Sequence, residues 1–157
     1  MLVKKQVLAT FAAAFLVFAA AAAPAGARTA STTSSALRAV INATRGAHGL
    51  APLHLDARLA RAARAHSLDM LRRNYFSHGA FAARVHASGA RGPVFGENLA
   101  WGTTATAQSI VTQWLASPAH RANLLRPGFR RIGIGVVTGT FGGYGGATVV
   151  TADFAGT

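Results

Sequence analysis

Residues 132–154 read IGIGVVTGTFGGYGGATVVTADF. Ile132, Ile134 and Val136 alternate with Gly133 and Gly135, and Val150, Ala152 and Phe154 alternate with Thr151 and Asp153. A period of two sends successive side chains to opposite faces, which is the pattern of strands covered by other structure on one side. The glycine-rich link over residues 139–146 can turn one run back on the other, so this stretch predicts an antiparallel hairpin. Upstream of it the apolar spacing is mostly helical. The order is therefore helices first and a hairpin last, an α+β sandwich.

Just before the hairpin, Pro127 and Gly128 close a short helical turn that opens at Ser117-Pro118, with Ser as N-cap and Pro at the first helical position. A helix over about Thr106 to Ala116 buries Ile110, Val111, Trp114 and Leu115. Val94 to Ala100 reads as a strand or strand edge, and Phe81 to Ala87 as a brief helical piece. Asp56 is a good N-cap for a longer helix ending near Asn74. Its inner stripe is Leu59, Ala62, Ala63, His66 and Met70, while Arg58, Arg61, Arg64 and Arg72 face water. A first helix from about Ser34 to Ala47 carries Leu37, Val40, Ile41 and Thr44 at helical spacing.

The N-terminus has the layout of an export signal. Lys4 and Lys5 form the positive region, Val7 to Ala23 the apolar core, and Ala25-Gly26-Ala27 the small-residue cleavage box. The apolar run is shorter than the roughly 20 residues a spanning helix needs, so no stable membrane anchor is expected. Residues 1–27 are thus read as a signal peptide, 28–35 as a flexible lead-in, and 36–156 as one domain. That domain is expected to be secreted, free or associated with the cell wall, and monomeric. The chain has no cysteine, so no disulfide supports the fold in that oxidising location.

Both lysines lie in the signal, which leaves 14 arginines against Asp56, Asp69, Glu97 and Asp153. The arginines are scattered and form no basic tract interleaved with aromatics, so nucleic acid is not an expected partner. Among the acids, Asp56 is accounted for as a cap, Asp69 as a surface partner of Arg72 and Arg73, and Asp153 by the polar phase of the last strand. Glu97 has no such explanation. Of the histidines, His48 and His54 fall in the loop around Pro52 and His86 near Gly89, all exposed, and His66 belongs to a core stripe. His78 and His120 remain. His120, at the third position of its helix, is biased toward the neutral imidazole that binds metal or accepts a proton. Two readings stay open on spacing alone: a shared His78–Glu97–His120 site suited to a divalent metal, or Glu97 paired with an arginine and each histidine bound into its loop.

Four segments taken together resemble the CAP superfamily of cysteine-rich secretory, antigen 5 and pathogenesis-related proteins, in its bacterial SCP-like extracellular branch. They are 65–78, with Tyr75-Phe76-Ser77-His78; Gly96-Glu97-Asn98-Leu99-Ala100; Trp114 to Leu125, with Ser117-Pro118-Ala119-His120; and Ile132 to Val136. The resemblance covers about Leu37 to Phe154. It implies an α-β-α sandwich, a small antiparallel sheet flanked by helices, with a cleft at one side that commonly holds two histidines and two glutamates. His78 and His120 take the histidine places and Glu97 the first glutamate place, while Ser117 stands where the second glutamate would be. The tetrad is therefore incomplete, and any metal such as zinc would have one carboxylate fewer.

Three functions follow from this reading. The favoured one is a secreted binding module whose cleft, formed by His78, Glu97, Ser117 and His120, holds a divalent metal at His78 and His120 and a small apolar ligand, a lipid or a cell-wall fragment. The second is an extracellular hydrolase with Glu97 as general base. The third is a non-catalytic surface domain whose polar cluster only knits the fold.

Overall fold

The computed structural model describes residues 25–156, with side chains from Thr33 onward. In chain order the elements are helix α1 (Ala25–Ala47), strand β1 (His54–Leu55), helices α2 (Ala57–Arg73) and α3 (Phe81–Ala87), strand β2 (Phe95–Gly102), helices α4 (Ala107–Ala116) and α5 (Pro118–Leu124), and strands β3 (Phe129–Phe141) and β4 (Tyr144–Gly156). The hairpin read from the sequence is β3–β4, paired antiparallel with Ile134 opposite Ala152. Strand β2 pairs antiparallel with β4 along its whole length, from Phe95 opposite Ala155 to Gly102 opposite Thr148.

Two expectations need correction. The sheet order is β1-β3-β4-β2, and β1 runs parallel to β3, so the sheet is mixed rather than wholly antiparallel. The cause is the extended link after Pro52, which lies against β3 before α2 begins; Asp56 N–H donates to Ile132 O at 2.9 Å. A two-residue strand is too short to leave a periodic signature. Helix α1 begins at Ala25 and runs through residues 28–35, which are helical rather than a flexible lead-in. Serine and threonine are only mildly unfavourable in a helix, and no Pro or Gly interrupts this stretch. Residues 1–24 of the expected signal peptide lie outside the described residues. Among the described residues no helix is long and apolar enough to cross a membrane.

The sheet is covered on both faces. Leu37 and Ile41 of α1, Val111 and Trp114 of α4 and Leu124 of α5 form one core with Ile132, Ile134, Val136, Val150, Ala152 and Phe154. On the other face α2 contributes Met70 beside Leu99, Val137 and Val149, and Leu59 packs with Val85 and Ala155. The glycines of β3 are the seat of α2. A Cβ on Gly133 would lie 2.1 Å from the backbone of Leu59 and Ala60, and one on Gly135 would lie 2.3 Å from Ala63 C. Only a bare backbone lets the helix approach this closely.

Side chains fix the remaining joints. Asp56 caps α2, accepting from Arg58 N at 2.8 Å and Leu59 N at 3.2 Å, and its other oxygen takes Arg131 Nη1 at 2.7 Å. Arg45, fully buried, donates to the carbonyls of Ala51 (2.9 Å), Leu124 (2.7 Å), Arg126 (3.2 Å) and Phe129 (3.2 Å), tying α1 to the turn between α5 and β3. Strand β2 is the free edge of the sheet, and its outer carbonyls are capped by the helices beside it. Trp114 Nε1 donates to Leu99 O at 2.8 Å, and Asn123 Nδ2 to Glu97 O at 3.1 Å. Such capping blunts an edge that would otherwise pair with another chain.

Candidate functional site

The site straddles this capped edge. Alternation along β2 turns Glu97 and Leu99 toward the α2 side of the sheet and Asn98 toward α5, where Asn98 Nδ2 donates to His120 O at 3.0 Å. Glu97 is almost wholly enclosed, its side chain 1 % exposed, and both its oxygens are engaged. Oε1 meets His78 Nδ1 at 2.7 Å, and Oε2 takes a close hydrogen bond from Arg84 Nη2. Arg84 reaches the cluster from α3, and its Nη1 also donates to His78 O at 3.2 Å, so one guanidinium holds both members of the pair. His78 lies in the link between α2 and α3, just before Gly79 at φ +54°, and over half of its side chain is exposed. It is therefore the solvent-facing member of a cluster whose most enclosed group is Glu97, held between His78 and Arg84.

Asp153 lies directly across from Glu97 in the β2–β4 pairing. The polar phase of the last strand turns out to face α2 rather than water: Thr151 takes Ser67 Oγ at 2.9 Å, and Asp153 is completely buried. No donor reaches either Asp153 oxygen, and Arg84 Nε is likewise unpaired. Burial, and next the charge of Glu97, push the Asp153 carboxyl up to about 8 against the pull of Arg84, so Asp153 is a neutral acid at pH 7. The cluster thus has two carboxyl groups but one negative charge, and that charge sits on Glu97, where Arg84 and His78 face it. Position alone could have suggested this: Asp153 is two residues from Thr151, and both share a phase with the strand positions opposite α2.

His66 from α2 closes the inner side of the same cluster. It is 3 % exposed, with Nε2 3.0 Å from Ser77 O, as its core-stripe position predicts. Burial first, and Arg84 second, hold it below the usual histidine range.

Across the β2 edge stand His120 and Ser117 of the α4–α5 corner. With Phe76, Leu99, Ala100, Trp101 and Gln113 they line an open cleft of about 300 Å³. Ser117 occupies the N-cap position of α5, but its side chain makes no capping bond and lines the cleft. His120 is held below the usual histidine range by burial first and the charge of His78 second. The neutral bias expected of His120 is therefore present, with desolvation as its first cause and the charge of His78 as its second.

The expected site residues are thus brought to one edge of one strand, though not into one ligand sphere. His78 and Glu97 are in contact, while of the four only Ser117 and His120 line the cleft. A metal held by three of these groups does not fit this arrangement. Among the described residues no three His, Cys, Asp or Glu side chains come together to hold an ion, and Glu97 already spends both oxygens on Arg84 and His78. Three arginines taken as scattered surface charge, Arg45, Arg84 and Arg131, are structural. The partners of an arginine distant in sequence leave no local signal.

Residues 38–154 match the model of the cysteine-rich secretory protein family, CAP. The chain is 38 % identical over 133 residues to the uncharacterized protein YkwD of Bacillus subtilis, an alignment spanning 75 % of this chain and 51 % of YkwD. It is 36 % identical over 100 residues to the uncharacterized membrane protein YlbC of the same organism, over 60 % of this chain and 29 % of that protein. The chain therefore spans about half the length of one curated relative and less than a third of the other. Among solved structures it resembles an extracellular SCP-domain protein of Bacillus anthracis, with TM-score 0.73 and 28 % identity over 84 % of this chain and 43 % of that one. An outer surface protein of Borrelia burgdorferi shares the fold, with TM-score 0.69 and 20 % identity over 80 % of this chain and 94 % of its own.

Proposed function

Because this chain belongs to the cysteine-rich secretory protein (CAP) family, its function is to be sought in the cleft beside β2, and we propose that it is an exported bacterial binding module. In this reading the cleft lined by Phe76, Trp101, Ser117 and His120 takes a small apolar or cell-wall-derived ligand outside the cell. The extracellular Bacillus anthracis protein and the outer surface protein of Borrelia burgdorferi support that location.

One observation favours binding over hydrolysis. A general base needs a free lone pair within hydrogen-bond reach of the proton it removes. Both Glu97 oxygens are occupied, and the side chain is 1 % exposed. The cleft next to it is open and combines apolar walls with a few polar groups, the composition of a ligand site.

The test compares the intact chain with Glu97→Gln and His120→Ala by thermal shift and by turnover of peptide, ester and peptidoglycan substrates. Binding predicts a saturable rise in melting temperature with an apolar or cell-wall-derived ligand, lost in His120→Ala, and no turnover by any form. Turnover that disappears in Glu97→Gln, with the fold intact by circular dichroism, would establish the hydrolase instead. The same assay addresses metal. Zinc that stabilises the intact chain but neither His78→Ala nor His120→Ala would place an ion between the two histidines without Glu97.

A further inference from the structure

The cleft has a neighbour beyond Gln113. A second hollow of about 210 Å³ shares Trp101 and Gln113 with it and continues past Thr104 toward the start of α4. The two hollows adjoin along the β2 edge, with Trp101 and Gln113 in the lining of both, between His120 and the capping box of α4.

Their chemistry is unusual for this chain. The sequence carries a net charge of +12, yet no Arg, Lys, Asp or Glu lines either hollow. The lone ionisable group is His120, which burial and His78 bias toward its neutral form. An anionic polymer would be met by arginine, and none is offered here. A lipid tail would call for an enclosed apolar tunnel, whereas this groove is open and its walls carry an amide, hydroxyls and an imidazole. Among the described residues the side chains of Thr104, Gln113 and Ser117 have no hydrogen-bond partner, so their donors and acceptors are available to a ligand.

The apolar part of the groove is aromatic and held in place. The Trp101 ring packs against Phe141, centroids 5.2 Å apart at 66°, and against Tyr144 at 6.1 Å. Phe76, 44 % exposed, touches Phe141 from the side, at 6.4 Å between centroids. A propped, partly exposed indole beside neutral hydrogen-bonding groups matches a ligand that has a flat apolar face and a rim of hydroxyls.

We propose that this groove is a binding site for a neutral oligosaccharide, with Trp101 as the platform on which a sugar ring stacks and Gln113, Ser117 and His120 as partners for its polar rim. The proposal rests on the reading of the chain as a cleft-binding module and narrows it to one ligand class.

The experiment is a ¹H–¹⁵N NMR titration of the intact chain with three probes: a tetramer of N-acetylglucosamine, a tetramer of glucose, and laurate. The expected result is a saturable shift of the Trp101 indole and the Gln113 side-chain amide with at least one tetramer. The Trp114 indole, buried and bonded to Leu99 O, stays in place as an internal reference. Gln113 is exposed on α4, so Gln113→Ala leaves the fold alone and weakens binding about fivefold, the loss of one neutral hydrogen bond. Trp101→Ala weakens it about tenfold, and Trp101→Phe, which keeps an aromatic ring in the same packing, less than that. Shifts with laurate alone would overturn the oligosaccharide while leaving a cleft-binding module standing. No saturable shift with any probe would overturn both.

Discussion

Replacing Asp153 with Asn should make the domain more stable at neutral and alkaline pH, although Asp153 is fully buried beside the site. The folded carboxyl holds its proton up to about pH 8, whereas the unfolded one releases it near 3.8. The folded state therefore binds more protons across that interval, and stability is fully present below 3.8 and lost as pH rises toward 8. Between pH 4 and pH 7 the loss from this one group is at most roughly 4 kcal/mol, from about three pH units at 1.36 kcal/mol each. The substituted amide would have nearly the same shape and no charge to desolvate, so the variant's stability should lack this slope. The groups facing Asp153 are Glu97 from β2, Arg84 from α3 and, beyond them, His66 and His78. His66 and His120 are held low, so they act in the opposite sense, adding stability as pH rises toward 6.5. Urea denaturation of both proteins at pH 4, 6 and 8 separates these effects, because the depressed histidines are common to both. The two should be nearly equal at pH 4, and the variant should lead by a few kcal/mol at pH 8. A variant that is less stable at pH 8, or a difference that does not change with pH, would show that Asp153 is not a neutral acid in the fold.

Three further outcomes follow from the same geometry. Arg45→Met, which keeps the apolar stem but strands the carbonyls of Leu124 and Phe129 in the interior, should cost about 3 kcal/mol or more in urea denaturation. Gly135→Ala, whose Cβ would meet the α2 backbone at 2.3 Å, should cost about 3 kcal/mol or more or prevent folding, whereas Gly143→Ala, in open space at φ +85°, should cost about 1 kcal/mol through backbone strain alone. His78→Ala should raise the His120 pKa measured by NMR without restoring it to 6.5, because His78 is the second cause of its depression and burial the first.

The frame of the fold was legible in the sequence wherever periodicity was long. The β3–β4 hairpin, the α2 stripe from Leu59 to Met70 and the brief α3 helix all fall where spacing put them. What spacing could not show was the environment of the second phase of a strand. Gly133, Gly135, Thr151 and Asp153 alternate with apolar residues in the manner of a solvent face, yet all four are buried beneath α2. A strand covered on both sides normally reads as a continuous apolar run. Here glycine replaced bulk because the helix comes so close, and Thr151 and Asp153 are polar because each has a buried counterpart, Ser67 and Glu97.

The same logic explains why Glu97 was visible in the sequence and its role was not. Its lack of any local structural role was real, because every group that engages it comes from elsewhere in the chain: His78 from the α2–α3 link, Arg84 from α3 and Asp153 from β4. A carboxylate so enclosed is a poor base, but it is a good anchor. It fixes the ring of His78 through Nδ1 while over half of that side chain stays exposed. Keeping Asp153 neutral concentrates the single charge where it holds this histidine. On the far side of β2, Asn98 holds the backbone at His120 by donating to its carbonyl. His78 and the His120 backbone are thus held by adjacent residues of one strand pointing to opposite faces. That alternation makes an edge strand, rather than a loop, the rigid base of the site.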